Sequence, residues 1–504
     1  MSEDMQLRFM RVQNGNDVRG AAIATEKEPV TLTPEIVEKI AASFAEYLEQ
    51  KTGKRGHALR IGVGHDSRVT AEIMKEACFR GLIDVECYDC GLITTPAMFQ
   101  SVMLPASDFD GAIMLTASHL PFNRNGMKFF TKDGAMAKKE LTGILARAAE
   151  LAEETPAYPS VSGRASAFDM RTVYCEHMKE IIKKEVAAED YEHPLAGLHI
   201  VEDAGNGASG FFAEQILLPL GADISGSVYL EPDGTFPNHV PNPEDRTAMN
   251  AARQAVLASG ADLGVIFDCD GDRGAVVFSD GTEVNRNTLI GLLAVIVAEK
   301  APGSTVVTDS VTSDELAEFL TKKLNLHHLR YKRGYKNVID MGVQLNADGE
   351  VCELAIETSG HGAFRENHFS DDGAYIAVKI ICQMALLRKE GRRIEDLIAD
   401  LKQPAESEEI RYHIGREDFR LAGENVLNDF RAFCKADPRF HLVVPNFEGI
   451  RVSFDDEEVK GWLLLRMSLH DPVLPLNLES KEAGGTAVVR QRIAPFFEQY
   501  DWLS

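Results

Sequence analysis

The chain has 504 residues, and its 78 acidic and 53 basic side chains leave a formal net charge of −25. At about 150 residues per domain this length predicts roughly three domains, and 44% hydrophobic residues are enough to bury their cores. The excess of acids disfavours a general nucleic-acid binder or a binder of anionic membranes. An anionic ligand would therefore need a local basic cluster or a metal ion.

Membrane insertion and secretion are also not expected. The densest apolar run, residues 289–298, is about half as long as a bilayer-spanning helix, and residues 1–10 contain no apolar signal core. Eight cysteines are scattered along the chain, which is typical of reduced thiols in the cytoplasm. Cys87 and Cys90 form a C-x-x-C pair. A zinc site of this type requires a second pair, which the sequence lacks, so we predict that these thiols are buried in the core.

Helix-type and strand-type patterns alternate along most of the chain. Thr33, Pro34 and Glu35 predict a helix start, and Gly53 predicts its end. Short apolar segments predict buried strands at residues 59–64, 112–115, 198–201, 263–267, 304–307 and 354–356. Buried strands between amphipathic helices indicate α/β modules with parallel strands.

The last hundred residues follow a different pattern. After residue 403 the sequence predicts a helix at residues 416–432, a group of strands, and a final helix at residues 487–500. The strands fall at residues 440–444, 449–454, 461–467 and 473–478. Strands grouped between two helices indicate a separate α+β domain.

Residues 268–273 (Asp-Cys-Asp-Gly-Asp-Arg) follow one of the predicted strands directly. The carboxylates of Asp268, Asp270 and Asp272 would repel one another in one tight turn, so a cation is expected between them. Oxygen ligands favour Mg²⁺, Mn²⁺ or Ca²⁺. An EF-hand fits poorly, because Arg273 and Ser279 stand where that loop has glycine and glutamate. The alternative is a solvated acidic turn.

Residues 116–121 also follow a predicted strand and contain Ser118 and His119. Ser118 is a candidate nucleophile, although the glycines that flank a hydrolase nucleophile are absent. Downstream, Lys128 adds a positive charge. Taken alone, a Ser-His pair is more often part of an ordinary turn.

Two further segments carry candidate binding residues. Glu357 and Ser359 alternate after a predicted strand and could face a polyhydroxylated ligand. Arg466, Ser468 and His470 occupy alternate positions and could bind a phosphate. Either segment alone could also be an ordinary turn or an exposed strand end.

Residues 205–210 match the dinucleotide-binding pattern G-x-G-x-x-G, and Glu231 lies where a ribose-binding acid would be expected. However, Glu202 and Asp203 precede the glycines and would oppose a pyrophosphate. We therefore interpret these residues as a packing turn, with a dinucleotide-dependent dehydrogenase as the remote alternative.

Together and in this order, the segments resemble the α-D-phosphohexomutase superfamily. Residues 14–20, 64–68 and 91–97 are similar to its N-terminal landmarks. The resemblance implies three related α/β domains with mixed sheets around a central cleft and a smaller C-terminal α+β domain. Their implied bounds are 1–158 with the phosphoserine loop, 159–290 with the metal-binding loop, 291–403 with the sugar-binding loop, and 404–504 with the phosphate-binding loop.

The resemblance also implies an activity. The family interconverts hexose 1-phosphates and hexose 6-phosphates, here of mannose or glucose, through a phosphoserine and a hexose 1,6-bisphosphate intermediate. One Mg²⁺ per chain would contact Ser118, Asp268, Asp270 and Asp272. The other implied roles are catalysis by His119, Lys128, Arg19, Arg273 and His361, and substrate binding by Gly334, Tyr335, Glu357, Ser359, Arg466, Ser468 and His470.

Two alternatives remain within this resemblance. A phosphoglucosamine mutase is one, because Thr358 stands where methionine marks hexose mutases and glutamine marks glucosamine mutases. A non-catalytic phosphosugar-binding member is the other, because residues 469–471 depart from the family's phosphate loop. In either case the expected partner is a small phosphosugar rather than nucleic acid or membrane, and the expected state is a cytoplasmic monomer or homodimer.

Overall fold

The computed structural model describes residues 3–154, 165–468 and 471–504. The α-helices of these residues are α1 (Glu3–Met10), α2 (Pro34–Thr52), α3 (Ala71–Gly81), α4 (Thr95–Met103), α5 (Lys138–Glu154), α6 (Met170–Val186), α7 (Arg246–Ser259), α8 (Arg286–Lys300), α9 (Asp314–Glu318), α10 (Tyr335–Ala347), α11 (Gly373–Lys389), α12 (Phe419–Ala436) and α13 (Gly485–Phe497).

The strands of these residues are β1 (Gln13–Asn14), β2 (Asp17–Ala21), β3 (Arg60–His65), β4 (Glu86–Leu92), β5 (Gly111–Leu115), β6 (Arg124–Thr131), β7 (Gly134–Ala135), β8 (Ser166–Ala167), β9 (Ile200–Asp203), β10 (Leu263–Phe267), β11 (Gly274–Phe278), β12 (Glu283–Val284), β13 (Thr305–Thr308), β14 (His327–Arg330), β15 (Cys352–Ile356), β16 (Gly362–Phe364), β17 (Glu406–His413), β18 (His441–Leu442), β19 (Ile450–Asp455), β20 (Lys460–Leu465) and β21 (Val473–Ser480).

The chain folds into two compact units. The first contains Met1–Asn285 and Ser359–Ile394, and the second contains Arg286–Thr358 and Glu395–Ser504. The expected domain boundaries near residues 158, 290 and 403 remain predictions.

The first unit contains two mixed sheets. One has the order β1-β2-β6-β5-β3-β4-β8, in which β3 runs parallel to β4 and β5 while β6 is antiparallel to β5. Its buried core also includes residues of α2, α3 and α5. In the other sheet, of order β12-β11-β10-β9, β9 is parallel and β11 antiparallel to β10. The mixed α/β sheets that we expected are therefore present.

The second unit contains three parallel strands of one sheet and a complete antiparallel sheet. Strand β13 lies between β14 and β15 and runs parallel to both. The C-terminal sheet has the order β17-β21-β20-β19-β18, is antiparallel throughout, and packs its buried face against α12 and α13. This arrangement confirms the expected C-terminal α+β domain.

Local sequence signals place several elements accurately. The Thr33 side chain accepts a hydrogen bond from the Ile36 amide at the start of α2, and Gly53 ends the helix in the left-handed region at φ 74°. The apolar segment 263–267 is strand β10 with its predicted bounds. The C-terminal prediction was incomplete, because β17 precedes α12. Its three glutamates and its alternating, only partial burial give it no apolar run, so the sequence pattern did not reveal the strand.

The cysteines lie in the interior of the protein. All eight cysteines lie in the described part of the chain, are buried and form no disulfide, as predicted for core thiols. Within residues 3–154, 165–468 and 471–504, every helix is too short or too polar to span a bilayer.

Candidate functional site

Three buried carboxylates define the candidate metal site of the first unit. Residues 268–273 connect the antiparallel strands β10 and β11. Asp268, Asp270 and Asp272 are all fully buried, and their nearest carboxylate oxygens lie within 4.8 Å of one another. Oδ1 of Asp270 and Oδ1 of Asp272 accept no hydrogen bond from the residues that the structure describes. Unsatisfied, clustered oxygens fit a divalent cation, which prefers such ligands.

Basic side chains balance part of this negative charge. Lys128 Nζ lies 3.2 Å from Asp270 Oδ2 and also pairs with Asp272. Burial and the neighbouring carboxylates raise the pKa of Asp268 well above its usual value. Burial also opposes ionisation of Asp270, but Lys128 and Arg19 outweigh it and lower its pKa. A bound cation would act against this shift, because its charge favours the ionised form of Asp268.

The predicted nucleophile lies directly against the carboxylates. Ser118 follows β5 in the left-handed region, with φ 50°, and its amide donates to Thr116 Oγ1 over 2.8 Å. Its hydroxyl Oγ donates to Asp268 Oδ2 over 2.8 Å and accepts from Arg273 Nη2 over 2.9 Å. Two loops 150 residues apart in the sequence thus form one site.

His119 lies at the same point as a neutral imidazole. Its Nδ1 lies 3.2 Å from Ser118 Oγ and also contacts the Arg273 guanidinium. Burial and the charge of Arg273 lower its pKa to about 2. A neutral ring near neutral pH accepts hydrogen bonds but cannot serve as a reservoir of protons.

His361 has the opposite electrostatic environment. Its Nδ1 lies 2.5 Å from Asp371 Oδ2 and 3.6 Å from Asp272 Oδ1. Burial alone would lower its pKa, but Asp371 and Asp272 raise it to about 9. Sequence reasoning missed Asp371, whose only signal is its position just before the start of α11.

Arg19 lies beside the Ser118 loop rather than on the carboxylates. Its Nη1 donates to the Thr116 carbonyl over 2.5 Å, and its Nη2 pairs with Asp17 Oδ2 at 2.9 Å. Its charge nevertheless contributes to lowering the pKa of Asp270. Ser118, His119, Lys128, Arg19, Arg273 and His361 all lie in the first unit, with the three aspartates.

The other candidate residues divide between the units. In the second unit, Glu357 Oε1 accepts a hydrogen bond of 2.5 Å from the Gly334 amide, and Tyr335 begins α10. Arg466 is 6% exposed after β20, and Ser468 Oγ accepts from the Asp471 amide over 3.2 Å. Ser359 is buried in the first unit. His470 lies outside the described residues.

The glycine-rich residues 205–210 pack against protein backbone. A Cβ on Gly207 would lie 2.6 Å from the Cys269 carbonyl oxygen, so glycine permits close approach to the metal loop. Glu202 is fully buried beside these residues, and its Oε2 accepts from the Ala213 amide over 2.8 Å. These contacts agree with a packing turn and oppose a pyrophosphate site.

Arg68 fixes the shape of the Ser118 loop, a role that the sequence did not reveal. Its side chain is buried, and Nε lies 3.3 Å from Asp66 Oδ2. The guanidinium donates at 2.5–2.8 Å to four carbonyl oxygens, those of Ser118, Leu120, Pro121 and Arg124. One planar cation therefore satisfies most of the loop's inward-facing acceptors.

We expect Arg68→Lys to loosen this loop, because one ammonium cannot reach four carbonyls and each unsatisfied group costs about 1–3 kcal/mol. Hydrogen–deuterium exchange of residues 116–124 should accelerate, and the midpoint of thermal unfolding should fall. Arg124→Lys is the control, since its guanidinium pairs with Glu28. Equal exchange in the two variants would contradict the role given to Arg68.

Comparisons with known proteins agree with this geometry. Residues 10–155, 172–281 and 285–404 match the phosphoglucomutase/phosphomannomutase alpha/beta/alpha domains I, II and III. A phosphomannomutase/phosphoglucomutase of Pseudomonas syringae is 28% identical over 424 residues, which cover 84% of this chain and 83% of that protein.

Two further matches extend the comparison. A probable phosphoglucosamine mutase of Methanopyrus kandleri is 26% identical over 453 residues, covering 89% of this chain and 91% of that protein. The crystal structure of a phosphoglucomutase/phosphomannomutase family protein from Burkholderia thailandensis has the same fold. It has a TM-score of 0.77 at 23% identity, over 98% of this chain and 97% of that chain. The three matched domains, in order and with these relatives, show that the chain belongs to the α-D-phosphohexomutase superfamily.

Proposed function

We propose that this protein is a Mg²⁺-dependent phosphohexomutase that interconverts the 1-phosphate and 6-phosphate of a hexose through a phosphorylated Ser118. One observation carries the proposal. The Ser118 hydroxyl donates a 2.8 Å hydrogen bond to Asp268, a member of the buried carboxylate triad. Three buried carboxylates need charge compensation, and a divalent cation between them would also reach a phosphate on the adjacent serine.

The triad and a phosphorylated Ser118 would hold one Mg²⁺. When bound, the ion would neutralise charge on the phosphoryl group during transfer. The fit rests on the unsatisfied oxygens of Asp270 and Asp272 and on the carboxylate chemistry of the site. The protein's own residues supply the remaining charge through Arg273, which donates to Ser118 Oγ, and through Lys128.

The proposed reaction has two transfers. First, a hydroxyl of the sugar phosphate attacks phosphoserine. Its O–H proton goes to a base, the bond from phosphorus to Ser118 Oγ breaks, and Oγ takes up a proton. Hexose 1,6-bisphosphate forms and then reverses its orientation, so that its other phosphate faces Ser118. Second, Ser118 Oγ attacks the other phosphate, loses its proton and regains a phosphoryl group, while the freed sugar oxygen is protonated.

The proton-handling groups are assigned by their charge. We propose His361, Lys128 and Arg273 as groups that hold protons near the phosphoryl group. The pKa of His361 is raised to about 9, so its imidazole is protonated at neutral pH. We propose that neutral His119 accepts from the Arg273 guanidinium and so helps to hold Arg273 beside Ser118, and that Arg19 is a charge that favours an ionised Asp270.

In the second unit we propose that Gly334, Tyr335 and Glu357 bind the sugar and that Arg466 and Ser468 bind the non-reacting phosphate. Ser359 and His470 complete the proposed set. Mannose or glucose is the proposed sugar. Glucosamine is the second candidate, because similar relatives carry both names. The bisphosphate would also act as an activator by phosphorylating Ser118.

Removing one carboxylate should weaken metal binding. We expect Asp270→Asn to weaken Mg²⁺ by at least about tenfold, since a ligand oxygen and one negative charge are lost. Isothermal titration with Mg²⁺, and with Mn²⁺ as a second probe, measures the change. Asp280→Asn is the control, because Asp280 is exposed just after β11. An unchanged titration for Asp270→Asn would argue against this metal site.

Ser118→Ala should lower mutase turnover by at least about a thousandfold while the far-ultraviolet circular dichroism is unchanged, because no other group carries the phosphoryl. The assay contains Mg²⁺ and catalytic hexose 1,6-bisphosphate. The control is Ser166→Ala, an exposed serine of β8. Wild-type turnover in the Ser118→Ala variant would exclude Ser118 as the carrier.

The same assay compares mannose 1-phosphate, glucose 1-phosphate and glucosamine 1-phosphate. The ratio of their kcat/KM values identifies the sugar. If protein shown by mass to carry phosphate on Ser118 turns over none of them, the proposed activity on these sugars is wrong, and binding without catalysis becomes the better explanation.

A further inference from the structure

Glu448 and Gly449 form a tight corner just before β19, in the second unit. The Glu448 carboxylate, through Oε2, accepts a 3.1 Å hydrogen bond from the Arg333 amide and another from the Ser310 hydroxyl. Arg333 immediately precedes Gly334, whose amide binds Glu357. One carboxylate of the C-terminal domain therefore holds the loop in which the proposed sugar-binding residues lie.

The other half of the corner lies against Arg466. Gly449 has φ 59°, and a Cβ there would lie 2.9 Å from both Cα and Cβ of Arg466. Only glycine allows this approach in that backbone conformation. The Asn446 side-chain amide donates to the carbonyls of Glu448 and Gly449 at 2.9 and 3.0 Å. The corner thus contacts Arg333 on one side and Arg466 on the other.

Arg451 binds the same serine as Glu448. Arg451, in β19, is buried, and its Nη1 donates to the Ser310 carbonyl over 2.8 Å. Its guanidinium lies 3.6 Å from the centre of the Trp462 ring. Ser310 is therefore held through its hydroxyl by Glu448 and through its carbonyl by Arg451. Glu448, which binds the Arg333 amide, is itself held through its contact with Ser310.

The charge of Arg466 is incompletely satisfied. Its Nε is buried and has no hydrogen-bond partner among the described residues, although the side chain is only 6% exposed. Burial, followed by the charge of Arg333, lowers its pKa. The charges of Glu448, Glu409 and Asp309 offset part of this shift. The two arginines flank the corner, and a phosphate dianion is a ligand that can accept hydrogen bonds from both.

We propose that Arg333 is a second phosphate-binding residue that acts with Arg466, and that Glu448 is the positioning residue that holds it there. The inference rests on the proposed function, since it names a further contact to the non-reacting phosphate of the same substrate. The sequence offered Arg466 for this role but not Arg333.

The test compares Arg333→Ala with Lys332→Ala, which removes the same charge from the adjacent exposed residue. With the hexose 1-phosphate that the wild type turns over best, Arg333→Ala should raise KM about 10- to 100-fold and change kcat little. Lys332→Ala should leave KM within about threefold. Inorganic phosphate should also inhibit the Arg333→Ala variant more weakly.

The conservative variants separate binding from positioning. Arg333→Lys should recover part of the phosphate affinity, because the positive charge remains while the paired N–H donors of the guanidinium are lost. Glu448→Gln keeps an oxygen acceptor for the Arg333 amide and should stay near the wild-type KM, whereas Glu448→Ala should raise KM. An unchanged KM in Arg333→Ala, or a loss of kcat alone, would overturn the proposal.

The outcome is separable from that of the proposed function. Titration of the resting protein with inorganic phosphate needs no turnover. If the wild type shows no mutase activity but its phosphate affinity depends on Arg333 and not on Lys332, the phosphate site stands and the activity fails. If the wild type is active and Arg333→Ala matches Lys332→Ala in both measurements, the activity stands and the phosphate site fails.

Discussion

The mutual repulsion of Asp268, Asp270 and Asp272 is the constraint on which the rest of the first unit depends. Two unit charges about 4 Å apart repel by about 4 kcal/mol at the effective dielectric near a protein surface, and burial increases this cost. The fold compensates by placing Lys128 and Arg273 against the carboxylates. The compensation is incomplete, because Asp268 keeps a raised pKa. The remaining imbalance is what a divalent cation would relieve.

The same imbalance explains why the Ser118 loop is built so rigidly. A hydroxyl that donates to Asp268 must keep its position whether a proton or a cation satisfies the triad. Arg68 supplies that fixed position by binding four carbonyls of the loop. Preorganised charges that need not move during the reaction are the most effective way to stabilise a transferring phosphoryl group. Arg68 thus contributes by holding the loop rather than by touching the reacting atoms.

Local patterns in the sequence predicted the ends of α2 and the position of β10, because capping residues and apolar runs act over a few residues. They predicted parallel strands, whereas the mixed sheets were expected only from the family resemblance. They also predicted the carboxylate triad, since its members share one turn. They did not predict Asp371 beside His361 or Arg333 beside Glu448. Each of these pairs depends on how distant segments pack, and neither member has an unusual sequence environment of its own. The strand β17 was missed for a related reason, because it gains its place by pairing with β21.

A net charge of −25 is compatible with an anionic substrate because the basic groups of the candidate sites are screened locally. Lys128 and Arg273 contact the aspartates, and the charges of Glu448, Glu409 and Asp309 act on Arg466. The neighbouring carboxylates limit the range over which each guanidinium or ammonium attracts anions. A phosphate is therefore bound only where it can contact these groups directly, in a fixed geometry. A basic protein surface, by contrast, would attract any polyanion. Cations held at fixed positions inside an acidic protein favour a ligand that matches their geometry, and a doubly charged phosphate is attracted to them more strongly than a singly charged group.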